Sequence, residues 1–265
     1  VKQYVKEKAK AGELAMYEIL SSPALQAYNR EFSTLILPQR IAGNAQQHRL
    51  TLPYYEGKTF NDAWTPVNGG APMNLGLVPK MPCLLQDLAK VDISHVVNSP
   101  DLAAYPKVVF DHQEALTYFS HIADQFKESG LLTAKAADKI KTLLAIKQTT
   151  PMILNNGDFY PRNFINLTNG RIVLIDWETW NDNSPFYIID HLENAAAVLY
   201  VHMWGNPAWQ ARYLAELSKL FRFPKQCFDK AVIMKALTLG YIFGKHKPQL
   251  KGQLEIIQQT LSGIG

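Results

Sequence analysis

The stretch NNGDFYPRNFINLTNGRIVLIDWETW, residues 155–180, decides how the chain is read. Its runs FINLT and RIVLI are rich in β-branched and other apolar residues, and Asn169-Gly170 joins them. Asn-Gly favours a two-residue type I′ turn, in which both central residues take positive φ. The stretch therefore predicts a β-hairpin. Antiparallel pairing would set Asn163, just before the first strand, beside Asp176, just after the second. Asp158 lies on the loop that enters the hairpin, five residues before Asn163. Three oxygen-bearing side chains are thus expected to converge.

Two carboxylates held close repel each other, and burial raises a carboxylate pKa unless a cation compensates. Oxygen donors with no His or Cys beside them suit Mg²⁺ rather than zinc. Mg²⁺ takes few protein ligands and fills its shell with water and phosphate oxygens. Asn163 and Asp176 are the candidate metal ligands, which leaves Asp158 to accept a proton from a hydroxyl. Each residue alone could be a turn cap. Together, with the D-x4-N spacing and the hairpin, they match the arrangement that protein kinases use for phosphoryl transfer.

The segments GDFYPRNFI and VLIDWE resemble the signature H-G-D-x-x-P-x-N, then I-D-[WF]-E, of the aminoglycoside phosphotransferase and choline kinase superfamily. The match is specific over residues 155–178 and weak elsewhere. The resemblance implies an α+β, two-lobed protein-kinase-like fold with a small β-rich N-lobe, incomplete here, and a larger, mainly helical C-lobe. It also implies transfer of the ATP γ-phosphoryl group to a small-molecule alcohol with Mg²⁺. Asp158 would be the catalytic base, Asn163 and Asp176 the metal ligands, and Asp190 a support for the loop.

Upstream, YVKEKAKAGELAMYEIL resembles the strand Lys and helix Glu that pair near the phosphates. Lys6 and Glu13 are the candidates, with Lys2, Lys8 and Glu18 as competitors. LTLPYYEGKTF resembles the segment that binds adenine through backbone groups. Pro53 would offer its C=O and Tyr55 its N–H.

The chain also departs from the signature. Asn156 stands where the family has His, and Tyr160 stands where relatives carry a cation. Arg162 is the candidate to restore positive charge near the phosphoryl oxygens. No glycine-rich phosphate-covering loop is visible, so the polypeptide is expected to continue upstream of Val1. These departures make a catalytically weak or inactive nucleotide-binding protein the alternative reading.

Composition bounds the rest. The chain has 265 residues and a formal charge of +4, with its Lys and Arg scattered. No basic arm for nucleic acid stands out. The two cysteines, Cys83 and Cys227, lack disulfide-framework or metal-ligand spacing and fit a reducing cytosol. No apolar run reaches the ~18 residues of a membrane span, and a cytoplasmic protein is expected.

By chain position, residues 1–57 read as the remainder of an ATP-binding lobe, in the order strand, helix, strand, strand. The Gly/Pro-rich residues 58–80 read as a connector or lid. Residues 81–265 read as a helical catalytic and acceptor-binding lobe. Leu116, Phe119, Ile122 and Phe126 recur at helical spacing toward a stop at Gly130, and Thr133 can cap the next helix. Three or four helices follow residue 185, broken near WGNP, FRFP and KHKP. His191, His202 and the tryptophans Trp177, Trp180, Trp204 and Trp209 read as packing residues.

Overall fold

A computed structural model describes residues 2–3, 7–44, 49–59, 78–102, 108–156, 159, 163–177, 187–203, 206–243 and 247–264. Most of the expected connector, residues 60–77, lies outside this set. The chain forms two compact units, residues 1–110 with 152–190, and residues 111–151 with 191–265. The hairpin therefore belongs with the N-terminal segment rather than with the helices that surround it in the sequence.

The first unit contains β1 (Lys2–Gln3), α1 (Glu7–Leu20), α2 (Pro23–Glu31), β2 (Leu35–Ile36), β3 (Ala42–Asn44), β4 (Arg49–Thr51) and β5 (Gly57–Thr59). It continues with α3 (Lys80–Leu88), α4 (Ser94–Val97), β6 (Met152–Leu154), β7 (Phe164–Leu167), β8 (Ile172–Leu174) and β9 (Ile189–His191), whose last residue opens the second unit. On α1, Glu13, Met16, Tyr17 and Leu20 fall on one face by helical spacing, and all four are buried.

Helix α2 stands where the sequence predicted a direct passage from helix to strand. Ser22 caps it by accepting from the Leu25 N–H, and Pro23 supplies a preset first turn. Leu25 is its one buried residue, so the helix has almost no apolar period to read.

Strands β1, β4 and β3 form one antiparallel sheet. The second sheet runs β2-β8-β7-β5 and is built on the hairpin. β7 and β8 are antiparallel, β5 pairs antiparallel with β7, and β2 pairs parallel with β8. Three side chains hold this assembly. The Arg171 guanidinium donates to the carbonyls of Asn29 (3.0 Å) and Leu35 (2.5 Å). Asp87 of α3, fully buried, accepts from the N–H groups of Thr34 (2.7 Å) and Leu35 (2.9 Å). Lys80 Nζ donates to the Gly170 carbonyl at 2.7 Å. Gly57 permits the close approach of β5, because a Cβ there would fall on the Asn166 carbonyl oxygen.

The hairpin is present, but its turn is not type I′. Only Gly170 of the turn has positive φ, at 82°, and Asn169 stays at negative φ. The Gly170 N–H bonds the Leu167 carbonyl (2.9 Å) and the Leu167 N–H bonds the Arg171 carbonyl (2.8 Å). This is a three-residue loop, a type I turn closed by a left-handed glycine. Asn169 Oδ1 accepts instead from the Arg171 N–H at 3.0 Å, which stabilises the αR side of the turn.

The second unit is helical: α5 (His112–Glu128), α6 (Ala134–Leu144), α7 (Leu192–His202), α8 (Pro207–Leu220), α9 (Lys225–Phe243) and α10 (Lys247–Ser262). Helix α5 ends before Gly130, which sits at φ 73°, and Thr133 caps α6 through the Ala136 N–H, both as the sequence predicted. Asn206 caps α8 ahead of Pro207. Helix α9 packs against α5, α6, α7 and α10. Among the described residues no helix is long and apolar enough to cross a membrane.

Candidate active site

The end of the β7–β8 hairpin fixes two of the predicted residues against each other. The ladder pairs Phe164 with Leu174 and extends one step further, where the Ile175 N–H donates to the Asn163 carbonyl at 2.9 Å. Asn163 thus lies opposite the residue that precedes Asp176. Its side chain is buried, whereas Asp176 is half-buried. Phe159, fully buried, stacks on Phe164 with ring centroids 5.6 Å apart. Asp158, Arg162 and Lys6 lie outside the described residues.

Asp176 has a special backbone. Among the described residues it is the only non-glycine at positive φ, 63°. The left-handed region costs an ordinary L-residue about 1–2 kcal/mol, so the surroundings must hold it there. Asn156 does so from one side. Its carboxamide is completely buried and donates to the carbonyls of Ile175 (3.1 Å) and Asp176 (3.4 Å). Trp177 does so from the other, with a buried indole whose Nε1 donates to the Leu174 carbonyl at 2.7 Å. The Asn that replaces the signature His is therefore a backbone clamp on Asp176.

Helix α1 supplies the next neighbours. Glu13 is buried on the same helix face as Tyr17. Its competitor Glu18 is exposed and pairs with Arg40. The Tyr17 ring is fully buried. Its hydroxyl is pushed far above its ordinary pKa by burial first and then by the Glu13 carboxylate; the Asp176 backbone opposes this, while the Asp176 carboxylate and Tyr55 add to it. These groups therefore lie within electrostatic reach of one another.

Tyr55 is half-buried, and its hydroxyl accepts from the Gln39 N–H at 3.4 Å. Burial raises its pKa and that N–H lowers it. Pro53 is half-buried, and Tyr54 between them is 90% exposed, so Tyr55 and not Tyr54 turns inward.

Glu13 and Tyr17 share the buried face of α1, and Asn163, Asn156 and Asp176 lie at the hairpin end. The sequence reading missed Tyr17. Its one signal was the i, i+4 spacing from Glu13, which puts both on one helix face. Among the described residues no group of three or more His, Cys, Asp or Glu forms a metal cluster. The donor set at the hairpin end is one carboxylate and one amide, which fits a Mg²⁺ ion that draws its other ligands from water and phosphate and does not fit zinc.

Neither a protein-family profile nor a curated protein sequence matches the chain. Solved structures do. A choline kinase from Streptococcus pneumoniae superposes with a TM-score of 0.57 at 12% identity, covering 99% of this chain and 85% of that one. A macrolide 2'-phosphotransferase from Brachybacterium faecium gives 0.55 at 14% identity, covering 95% and 80%. The ternary complex of APH(2")-IIa with streptomycin and ATP gives 0.54 at 16% identity, covering 95% and 82%. The chain shares the α+β, kinase-like fold of these solved structures, the fold its hairpin motif led one to expect.

Proposed function

We propose that the chain, built on a kinase-like fold, is a phosphotransferase that moves the ATP γ-phosphoryl group to a hydroxyl of a small molecule, with Mg²⁺ as cofactor. The observation that supports this most is the backbone at Asp176, held at φ 63° by Asn156 and Trp177 at the end of a hairpin that also carries Asn163. A left-handed aspartate is costly, and such strain is kept where a side chain must be aimed.

In this reading Asp176 and Asn163 hold the metal. Bound Mg²⁺ would neutralise charge on the β- and γ-phosphates and orient them. Asp158 accepts the proton of the acceptor hydroxyl as its oxygen attacks phosphorus. Arg162 places positive charge beside the phosphoryl oxygens. Lys6 and Glu13 act at the phosphates, and the buried position of Glu13 suits a carboxylate that orients a lysine. The Pro53 carbonyl accepts from the adenine amino group and the Tyr55 N–H donates to the ring. The acceptor is a small alcohol. The segment KALTLGYIFGKHKPQLKGQ, residues 235–253, is basic and disfavours a polycationic acceptor.

Titration calorimetry with Mg-ATP tests the assignment. Asp176→Ala should abolish Mg-dependent ATP binding and transfer together. Asp158→Ala should keep Mg-ATP affinity and lower turnover by about 10²–10⁴-fold, the usual contribution of a positioned base. Wild-type affinity for Mg-ATP in Asp176→Ala would remove the basis of the proposal.

A further inference from the structure

The helical unit carries a cavity that none of the roles assigned above uses. Its volume is about 500 Å³, within the range of about 300–1,000 Å³ typical of small-molecule sites. All of its lining residues belong to the helical unit, on α6 and the turn after it, at the start of α9 and at Ile264 just beyond α10. Lys135, Lys139, Thr142, Leu143 and Ile146 recur at i, i+4, i+7, i+8 and i+11, so one side of α6 and its continuation forms a wall. Leu143 is buried, and Ile146 and Ile264 are half-buried, which gives the cavity an apolar floor. Lys135, Asp138 and Lys139 are exposed and form its rim.

The stability of α6 does not explain the rim lysines. Lys135 stands in the first turn, where the helix dipole disfavours a cation, and no acidic residue occupies that turn. Lys127 and Lys141 share the Asp124 carboxylate, whereas Lys135 and Lys139 have no ion-pair partner among the described residues. Lys139 Nζ donates to the Ile264 carbonyl at 3.3 Å and Lys225 Nζ to the Gly263 carbonyl at 3.3 Å, bonds that hold residues 263–264 beside α6 and α9. Two lysines less one aspartate leave the rim a net charge of +1. A monoanion matches that charge, and a nucleotide or phosphate dianion does not. The cations stand toward the N-terminal end of α6 and Leu143 and Ile146 toward its C-terminal end. Lys135 and Leu143 are about 12 Å apart along the helix at about 1.5 Å per residue, so charge and apolar surface are segregated along the cavity.

We propose that this cavity binds an amphipathic monoanion, a medium-chain acyl carboxylate, with its chain on Leu143, Ile146 and Ile264 and its carboxylate at Lys135 and Lys139. The floor supplies affinity without regard to sign, up to about fourfold for each methylene fully buried. The lysines supply the sign and fix which end of the ligand lies at the start of α6. The site does not depend on the phosphotransferase reading, because it uses none of the residues assigned to nucleotide or metal.

Isothermal titration of the full chain with decanoate tests the site, with decanol and decylammonium as probes of sign. Decanoate should bind saturably at one site, decanol more weakly and decylammonium more weakly still. Octanoate, two methylenes shorter, should bind up to about 15-fold more weakly than decanoate. Lys135→Glu combined with Lys139→Glu should weaken decanoate about tenfold or more, since an exposed ion pair is worth up to about fivefold and the reversal adds repulsion. The same variant should leave decanol binding unchanged. Thr142→Trp places a ring in the cavity and should weaken decanoate and decanol alike. All three substituted side chains are exposed, so both variants should keep the wild-type circular dichroism and a thermal midpoint close to it. The proposal is overturned by the absence of saturable decanoate binding, by decanoate affinity unchanged in both variants, or by decanol binding as tightly as decanoate.

Discussion

Both units bury polar groups, and they treat them in opposite ways. At the hairpin end, Asp176 stays half-buried on a strained backbone, and the groups around it restrain its main chain. In the helical unit, a second polar cluster is packed away from solvent. Lys230 is 1% exposed, donates to the Ile146 carbonyl at 2.7 Å and lies 3.1 Å from His112 Nδ1. Gln148 Nε2 donates to Asn194 Oδ1 at 2.7 Å, and His191 Nδ1 lies 2.9 Å from the Thr150 carbonyl. Glu193 is fully buried, and burial pushes its carboxyl up, with smaller opposing pulls from its own backbone, His191, Gln148 and Lys230. One region leaves an aspartate half-buried on a left-handed backbone. The other gathers Lys230, His112, Gln148 and Glu193 where α5, α6, α7 and α9 meet, and leaves both Glu193 carboxylate oxygens buried without a hydrogen bond.

The largest expected effect tests the structural side. Lys230→Ala removes the cation that faces the Ile146 carbonyl, His112 and Glu193. Breaking a buried charge network by deleting one partner costs about 3–5 kcal/mol, so the urea midpoint should fall steeply. Lys230→Met combined with Glu193→Gln should recover much of that loss, since apolar or neutral replacements of a whole buried cluster are often tolerated. A Lys230→Ala chain of normal stability that no longer binds Mg-ATP would break the contrast and make the helical cluster part of the site.

The next effect belongs to the hairpin side. Asn156→Ala releases the carbonyls of Ile175 and Asp176 from their donor. The stability loss should be about 1–3 kcal/mol, the cost of leaving buried acceptors unpaired. Mg-ATP affinity measured by calorimetry should fall more than Asn156→Ala lowers stability, because the left-handed backbone is what the clamp maintains. Asn156→His should be intermediate, since a ring N–H reaches fewer acceptors than a carboxamide with two donors. Loss of stability with unchanged affinity would make Asn156 a core residue and nothing more.

These two regions also show what the sequence could and could not tell. The hairpin was legible because its signals are local: β-rich runs, Asn169-Gly170, and oxygen-bearing residues at both ends. The turn type was misjudged because Asn169 can serve a turn either by positive φ or by accepting from the Arg171 N–H, and it does the second. Thr133, Gly130 and the later helix breaks were legible as caps and stops. Helix α2 was not, since it buries only Leu25 and its signal was the Ser22-Pro23 cap.

The parallel pairing of β2 with β8 joins residues some 137 positions apart, Leu35 with Ile172, and no local pattern encodes it. That pairing is why the compact units do not follow chain order. Among the candidate residues, Glu13 was legible as a buried position on α1. Tyr17 was not, because an aromatic on a buried helix face reads as packing.

The smallest expected effect is a pH dependence confined to the helical unit. His202 keeps partial exposure as a residue, but its Nε2 is inaccessible to solvent. Burial first, and then the nearby Lys235 charge, hold its pKa well below the usual histidine range. The folded chain therefore leaves His202 neutral where the unfolded chain protonates it, below about pH 6.5. The unfolded state binds more protons there, so stability is fully present above that pH and is lost on acidification. A single such group contributes at most about 1.4 kcal/mol per pH unit. His112, lowered by burial and Lys230, tilts the profile the same way. Glu193, raised by burial, tilts it the other way, because its stabilising contribution is lost as pH rises above the ordinary carboxyl range. His202→Gln is neutral at every pH, so the stability gap between wild type and variant should narrow as pH falls from 7.5 to 5.5. Parallel urea-unfolding profiles over that range would show that His202 is not held neutral by the fold. The helical unit would then carry a buried charge that its own groups do not compensate, and it would resemble the hairpin end more than it differs from it.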